Sequence, residues 1–514
     1  MVKTLCVLPI SFWGVIVLIA VGSLYALHHL RDGFGLPMLA VIGTLAAWYV
    51  VDAFYNDYAN YHSRIFAPEI LKSSWWQVAW FLVVFLFATP YIHRWMNIRL
   101  IARGSGVFRM FKLGVNQPGF QRQLDLLFFI CMAIWLSLVT IAAFRINGNI
   151  LGFLFPFLGN QVSPWGRNGR LGSGLDALWT MLDYFQMLAS AIFGVTAALS
   201  TNRRTRYLAI LFCFLSWPYF IIDRTRNRML TVTIPGVLSM VFLRLKGGII
   251  KKFFVLFGCF LVVNAWMAFV ITNRSGMSIT RAIKEKGFNF SEEEKVHHEG
   301  LNMYEELCWI NTFIKDGSYH PNWGSRYFAE MVNFIPRPLW PDKPMLGIDY
   351  AIARGQGSEG GQAGVDATIC TGLVGQGVVN FGRVLGPLAA ALLMGLWAAT
   401  LAKLDLRINE FGRLPLYFVG LILTFNTGRD ITLITLYPFL FGLLALRFYD
   451  RYVPHGSNAP KTPGLQILPQ VVKNKLGKLP AQRHATHRQN SNGQTWLISQ
   501  RRTRNGFGKN SNYL

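Results

Sequence analysis

The chain has 514 residues, 52% of them hydrophobic and 15% charged, with 50 Lys+Arg against 25 Asp+Glu. A soluble chain of this size carries about 25% charged residues, and here long apolar runs alternate with short charged clusters, which excludes a soluble globular protein as the main body. The formal net charge of +25 would suggest a nucleic-acid partner in a soluble protein. In a membrane protein it reads first as Lys and Arg collected in cytoplasmic loops, and no nucleic-acid partner is expected.

In chain order, candidate spans run over 5–27, 36–55, 75–93, 124–144, 176–199, 207–222, 229–245, 253–272, 384–402, 414–427 and 431–449. The first lacks the basic flank and small-residue cleavage site of a signal peptide, so it is expected to be retained as a span. Several carry an aromatic anchor near one end (Trp75, Trp76, Tyr91, Trp179, Tyr207). The expected fold is an all-α polytopic membrane protein of about eleven transmembrane helices with one large outer, periplasmic loop. Residues 1–272 form an N-terminal bundle of about eight spans, 273–383 the outer loop, 384–450 the C-terminal spans and 451–514 a basic tail.

Orientation follows from five basic clusters. These are Arg94 to Arg122, then Arg203, Arg204 and Arg206, then Arg244, Lys246, Lys251 and Lys252, then Lys403 to Arg413, and finally the tail. Alternation of the spans from 124 onward places all five on one side, which makes that side cytoplasmic and leaves the N-terminus outside. The tail holds no acidic residue after Asp450; it cannot bury enough apolar surface to fold alone, and anionic lipid head groups are its expected contact, a functionless extension being the alternative. Of the six cysteines, Cys6, Cys131, Cys213 and Cys259 lie in spans, while Cys308 and Cys370 share the outer segment and could pair.

Three features then fall outside. The first is the turn Asp223-Arg224-Thr225-Arg226-Asn227-Arg228, the second the segment 273–383, and the third the turn Thr427-Gly428-Arg429-Asp430. Arginines on the outside run against the usual bias, and one within a span costs roughly 2.5–3.5 kcal/mol. Snorkelling into lipid phosphates is the plain explanation; two arginine turns on one face point instead to an anion site. Arginine's planar fork binds phosphate oxygens in pairs, and a lipid-linked diphosphate lies at the depth where these turns end.

Within the outer segment, Met303, Leu307, Ile310 and Ile314 follow helical spacing while Glu305, Glu306 and Asn311 stand elsewhere, which predicts an amphipathic helix lying on the membrane or packed on the spans. Next come Ser325-Arg326-Tyr327-Phe328 and the run Asn333 to Pro344, whose four prolines exclude helix and hold Arg337 and Lys343 in fixed directions. Gly355 to Gly361 is glycine-rich and expected to be flexible.

An arginine turn, then "NFIPRPLWPDKP", then "GLVGQGVVNFG" leading into a span, then "TGRD" in a late turn: over residues 205–450 this order resembles the bacterial Wzy-type polymerases of O-antigen and exopolysaccharide repeat units. The resemblance implies a multi-pass enzyme of the bacterial inner membrane that moves a growing chain from its undecaprenyl diphosphate onto a newly delivered lipid-linked repeat unit. It also implies a chain-length regulator and a flippase as partners. By resemblance, Arg226 or Arg228 and Arg429 match the arginine turns, and Arg337 and Lys343 the outer-loop motif. Gln376 stands where a Glu is common, so no base carries over at that position.

Such a transfer needs preplaced cations for the leaving diphosphate and a base for the acceptor hydroxyl. Arg224, Arg226, Arg228, Arg337, Lys343 and Arg429 suit the first task. His298, Glu359 and Asp430 lead the second, with Glu299, His320 and Asp366 on the same face. Trp323, Trp340 and Tyr350 could stack on sugar rings. No carboxylate pair or His/carboxylate spacing suggests a metal, and no cofactor is expected. A lipid-linked oligosaccharide flippase or transporter, or an O-antigen ligase, are the competing readings.

Overall fold

The computed structural model describes residues 8–55, 58–101, 116–156, 164–165, 176–222, 226–272, 302–335, 339–344, 347–355 and 369–452. The regular elements among them are all helical, and they belong to one compact unit spanning residues 1–453. The tail expected to be disordered lies outside the described residues.

A helix occupies each predicted span. In order these are α1 (Ile10–His28), α2 (Gly35–Leu45) continued through a π-turn into α3 (Val51–Tyr55), α4 (Pro68–Ile101), α5 (Pro118–Arg145), α6 (Asp176–Leu199), α7 (Arg203–Ile221), α8 (Arg226–Ser239) and α9 (Ile249–Thr272). Between the last two sets of spans lie α10 (Met303–Lys315), α11 (Ser325–Val332) and α12 (Ile348–Ala353), followed by α13 (Leu373–Leu406), α14 (Arg413–Thr427) and α15 (Leu433–Tyr452). Among the described residues, six helices are long and apolar enough to cross a membrane: α1, Gly35–Phe54, α4, α5, Met181–Leu199 and α13. Their large apolar side chains face outward along α1, α4 and α5, as a lipid-facing surface does.

The basic loops gather at one end of the bundle. Arg244 donates to the Ser200 carbonyl at 3.3 Å, Gln121 reaches Leu199 and Thr201, and Arg413 and Arg407 both pair with Asp450. The described part of 302–383 lies at the opposite end and is packed into the helices within the same compact unit.

Helix α10 packs on the spans, as one of the two expected arrangements has it, but its polar side is not exposed. Glu305, Glu306 and Asn311 are buried along with Met303, Leu307 and Ile310. Each has a partner that explains this. Asn311 exchanges hydrogen bonds with Gln77 at 2.8 and 3.0 Å, Tyr61 donates to Glu305, and Glu306 binds Arg354. Asp52 caps the helix start by accepting from the backbone N–H of Tyr304 and Glu305 at 2.9 and 3.0 Å. Cys308 and Cys370 are both free thiols.

Helix α13 is broken. Gly382 has φ 78° and ψ −176°, a conformation open only to glycine. The segment 373–381 folds back there, so that the backbones of Gly377 and Gly386 touch, and a Cβ on Gly377 would overlap the Gly386 carbonyl. Along a straight helix, residues nine apart stand about 13.5 Å apart. The folded-back piece begins within the segment read as outer loop, and Leu373 through Asn380 are all buried.

Gly386→Val is expected to destabilise the protein by about 1–3 kcal/mol or more through overpacking, seen as a lower unfolding temperature in detergent. Gly14→Val is the control, because a Cβ at Gly14 meets nothing within 4 Å.

Candidate functional site

The four residues of the late turn each hold it in place. Thr427 donates its hydroxyl to the Thr424 carbonyl at 2.7 Å. Gly428 sits directly on Trp48 and Thr44, where no Cβ would fit, and Trp48 donates to the Phe425 carbonyl at 2.8 Å. The Arg429 carbonyl accepts from the Gly372 N–H at 2.8 Å, and the Gly428 carbonyl from Leu373 at 3.0 Å. Asp430 takes the Thr371 N–H and hydroxyl at 3.2 and 2.8 Å. Val374 donates to Tyr49 at 2.9 Å. The N–H groups of Gly372, Leu373 and Val374 at the start of the folded-back helix, and that of Thr371 just before it, are thereby satisfied by the chain itself.

Asp430 does not pair with its neighbour Arg429. Its second oxygen accepts from Arg326 Nη2 at 3.2 Å, and both partners are buried. Burial works against the Arg326 charge, but Asp430, Glu330 and Asp349 outweigh it and hold the guanidinium above its ordinary value. Only one edge of that guanidinium is used: Nη2 also donates to the Ile369 carbonyl, while Nε and Nη1 have no hydrogen-bond partner. Gly347, with φ +62°, leaves the room the guanidinium occupies, since a Cβ there would stand 3.2 Å from its central carbon.

The other arginine turn meets this one. Asn426, in the last turn of α14, donates to the Asn227 side chain in the first turn of α8, across 199 positions of sequence. Next to Asn227, Arg228 Nη2 lies 2.8 Å from Asp183, a fully buried carboxylate on α6. Arg228 is therefore held by a carboxylate in the bundle, and it is not simply reaching for lipid. Arg429 is exposed beside this contact and lies close to Cys370, whose thiol burial pushes up to about 12.

The remaining predicted residues divide cleanly. Lys343 is buried and donates to the Asn333 and Ile335 carbonyls at 3.0 and 2.8 Å, so its ammonium holds its own loop together. Arg226 opens α8, and its side chain lies outside the described part. Arg224, Arg337, His298 and Glu359 also lie outside the described residues, as do Glu299 and Asp366. His320 is exposed. Tyr350 is fully buried and donates to Glu306 at 2.5 Å, which leaves no face for a sugar ring, whereas Trp323 is exposed. Among the described residues no three His, Cys, Asp or Glu side chains gather closely enough to hold a metal ion.

Sequence reasoning missed Arg326, Asp183 and Glu330. Arg326 sits in a quoted run without any spacing that marks it, and Asp183 is a lone carboxylate inside an apolar span, which by itself was a signal. Gln376 receives a different role from a base. Its amide donates to the Ile431 carbonyl at 3.1 Å and accepts from the Ile431 N–H at 2.8 Å, a two-way clamp that an ionised Glu could not make. Asn380 similarly accepts from the Tyr327 N–H and donates to the Gln376 carbonyl, joining α11 to α13.

Compared with protein-family models, curated proteins and solved structures, the chain matches none.

Asp430→Asn leaves the Arg326 guanidinium buried without its carboxylate and is expected to cost about 3–5 kcal/mol. The double variant Arg326→Met/Asp430→Leu should recover most of that loss. Thermal unfolding of the detergent-purified protein checks both; equal melting of wild type and Asp430→Asn would contradict the pairing.

Proposed function

We propose that the chain polymerises undecaprenyl-diphosphate-linked oligosaccharide repeat units, in the manner of the Wzy-type enzymes, at the outer face of the bacterial inner membrane. In this reading all eleven helical segments span the bilayer and 302–383 lies on the periplasmic side. The observation that carries the proposal is the meeting of two arginine turns, distant in sequence, at the Asn227–Asn426 bond. It brings Arg228, Arg429 and the half-used Arg326 to one end of the bundle.

Each cation has a task there. The donor's diphosphate lies against Arg228 and Arg429, whose forks take the charge that grows on the leaving oxygen. The acceptor sugar's hydroxyl oxygen forms a bond to the donor's anomeric carbon as the bond from that carbon to the diphosphate breaks. The electron pair leaves with the diphosphate, and the hydroxyl proton passes to a base.

In this reading Glu330 is the base. It is buried on α11, one turn after Arg326, and acts electrostatically on Arg326 and on Tyr437 of α15. The Tyr437 ring lies 5.4 Å from Tyr184, the neighbour of Asp183. Glu330 is thus within electrostatic reach of Arg326 and of Tyr437, whereas Asp430 is committed to Arg326 and Thr371.

A flippase is the second reading, and the broken helix α13 is the feature that favours it, because discontinuous helices line transport sites. The filled N-terminus of the folded-back piece weighs against a ligand there.

In a strain lacking the chain, polysaccharide should collapse to single repeat units, and the wild-type chain should restore long polymer. Arg429→Ala is expected to leave membrane levels normal and yield single units, and lysine there should recover little. Arg228→Ala is expected to yield single units and also to lower membrane levels, because it removes the cation paired with the buried Asp183 carboxylate. Glu330→Gln should slow polymerisation about 10²–10⁴-fold. Wild-type length distributions from both arginine variants would sink the diphosphate site, and loss of even single units from the outer face in the deleted strain would mean a flippase.

A further inference from the structure

Helix α11 is amphipathic the wrong way round for a helix in water. Its two charged residues, Arg326 and Glu330, are buried with Ala329 on the inner side. Its outer side and the chain beside it expose large apolar groups: Trp323 is 76% exposed, Phe328 50%, Met331 64%, Phe334 49% and Leu339 78%. From Trp323 to Trp340 the described chain presents no exposed charged side chain. Contiguous apolar surface of this kind on a soluble face is rare and marks a docking surface.

What it docks against follows from where it sits. Gly324 faces Phe381, since a Cβ on it would stand 3.1 Å from that ring, and Phe381 adjoins the Gly382 break at which α13 begins its long apolar run. Immediately beyond, Val384 and Leu385 are exposed, and the Val384 carbonyl accepts from Trp80 on α4 at 3.1 Å. Helices α4 and α13 are both long and apolar enough to cross a membrane. The apolar patch is thus continuous with the lipid-facing surface of two spans.

We infer that α11 and the flanking residues 323–335 and 339–340 lie in the membrane interface, with Phe328, Met331 and Phe334 entering the boundary between head groups and acyl chains. Aromatic and aliphatic groups on one side of a short helix, with charge on the other, suit that position. This inference rests on exposure and continuity and does not depend on the polymerase reading.

The test places the photo-crosslinking residue p-benzoylphenylalanine at position 328 or 331 of the full chain in native membranes. Position 384 serves as the lipid-facing reference and the exposed Asp316 as the aqueous one. Phospholipid-sized adducts at 328 and 331, as at 384, with none at 316, are expected. A polypeptide-sized adduct would mean that a second copy or another protein covers the patch and would overturn the inference. Absence of adduct at both positions, with a positive result at 384, would overturn it equally.

Discussion

A peptide group inside an apolar bundle has no water to bond, so a helix that starts there depends on partners from its own chain. The folded-back segment 373–381 meets this demand through one neighbour, the turn 428–430. That turn supplies two backbone carbonyls and the Asp430 carboxylate to the helix start, and Gln376 returns two hydrogen bonds to Ile431. Removing either piece strands the donors or acceptors of the other. The tight crossing of Gly377 and Gly386 and the glycine-only backbone at Gly382 are what let the segment reach the turn.

Charge follows the same rule. Arginines near an apolar interior persist where a carboxylate or a carbonyl meets them. Arg228 has Asp183, Arg326 has Asp430, Arg354 has Glu306 and Arg413 has Asp450. Arg429 differs in being exposed at the surface of the cluster. The contrast separates the jobs: the Arg228–Asp183 pair ties α8 to α6 and the Arg326–Asp430 pair ties α11 to the late turn, whereas in the proposed reaction the exposed Arg429 is offered to the ligand. In the proposed reaction, Arg228 belongs to both groups, since its ion pair with Asp183 keeps it oriented toward the same place.

Helix positions were legible because span-length apolar runs leave few alternatives, and every predicted span coincides with a helix. The gathering of basic loops at one end was legible too, since alternation of spans forces it. The break in α13 was not, although the glycines at 377, 382 and 386 stand in plain view. Glycine spacing does not say whether a helix folds back or runs on; the contact between two remote turns of backbone decides it. Helix α10 misled for a related reason. Its periodicity located the helix, but Glu305, Glu306 and Asn311 are buried because Tyr61, Arg354 and Gln77 wait for them on other elements.

Of the candidate site, the sequence by itself determined that arginines would cluster at the ends of helices on one side, because composition and span alternation are local properties of the chain. It also marked the turn Thr427 to Asp430 as unusual. Which carboxylate meets which arginine was decided only by the tertiary structure: Asp430 passes over its neighbour Arg429 to reach Arg326, and Arg228 finds Asp183 on another helix. The physical reason is that a buried charge is neutralised by whichever partner packing brings within hydrogen-bond reach. Nearness in sequence has no bearing on that distance once the helices have assembled.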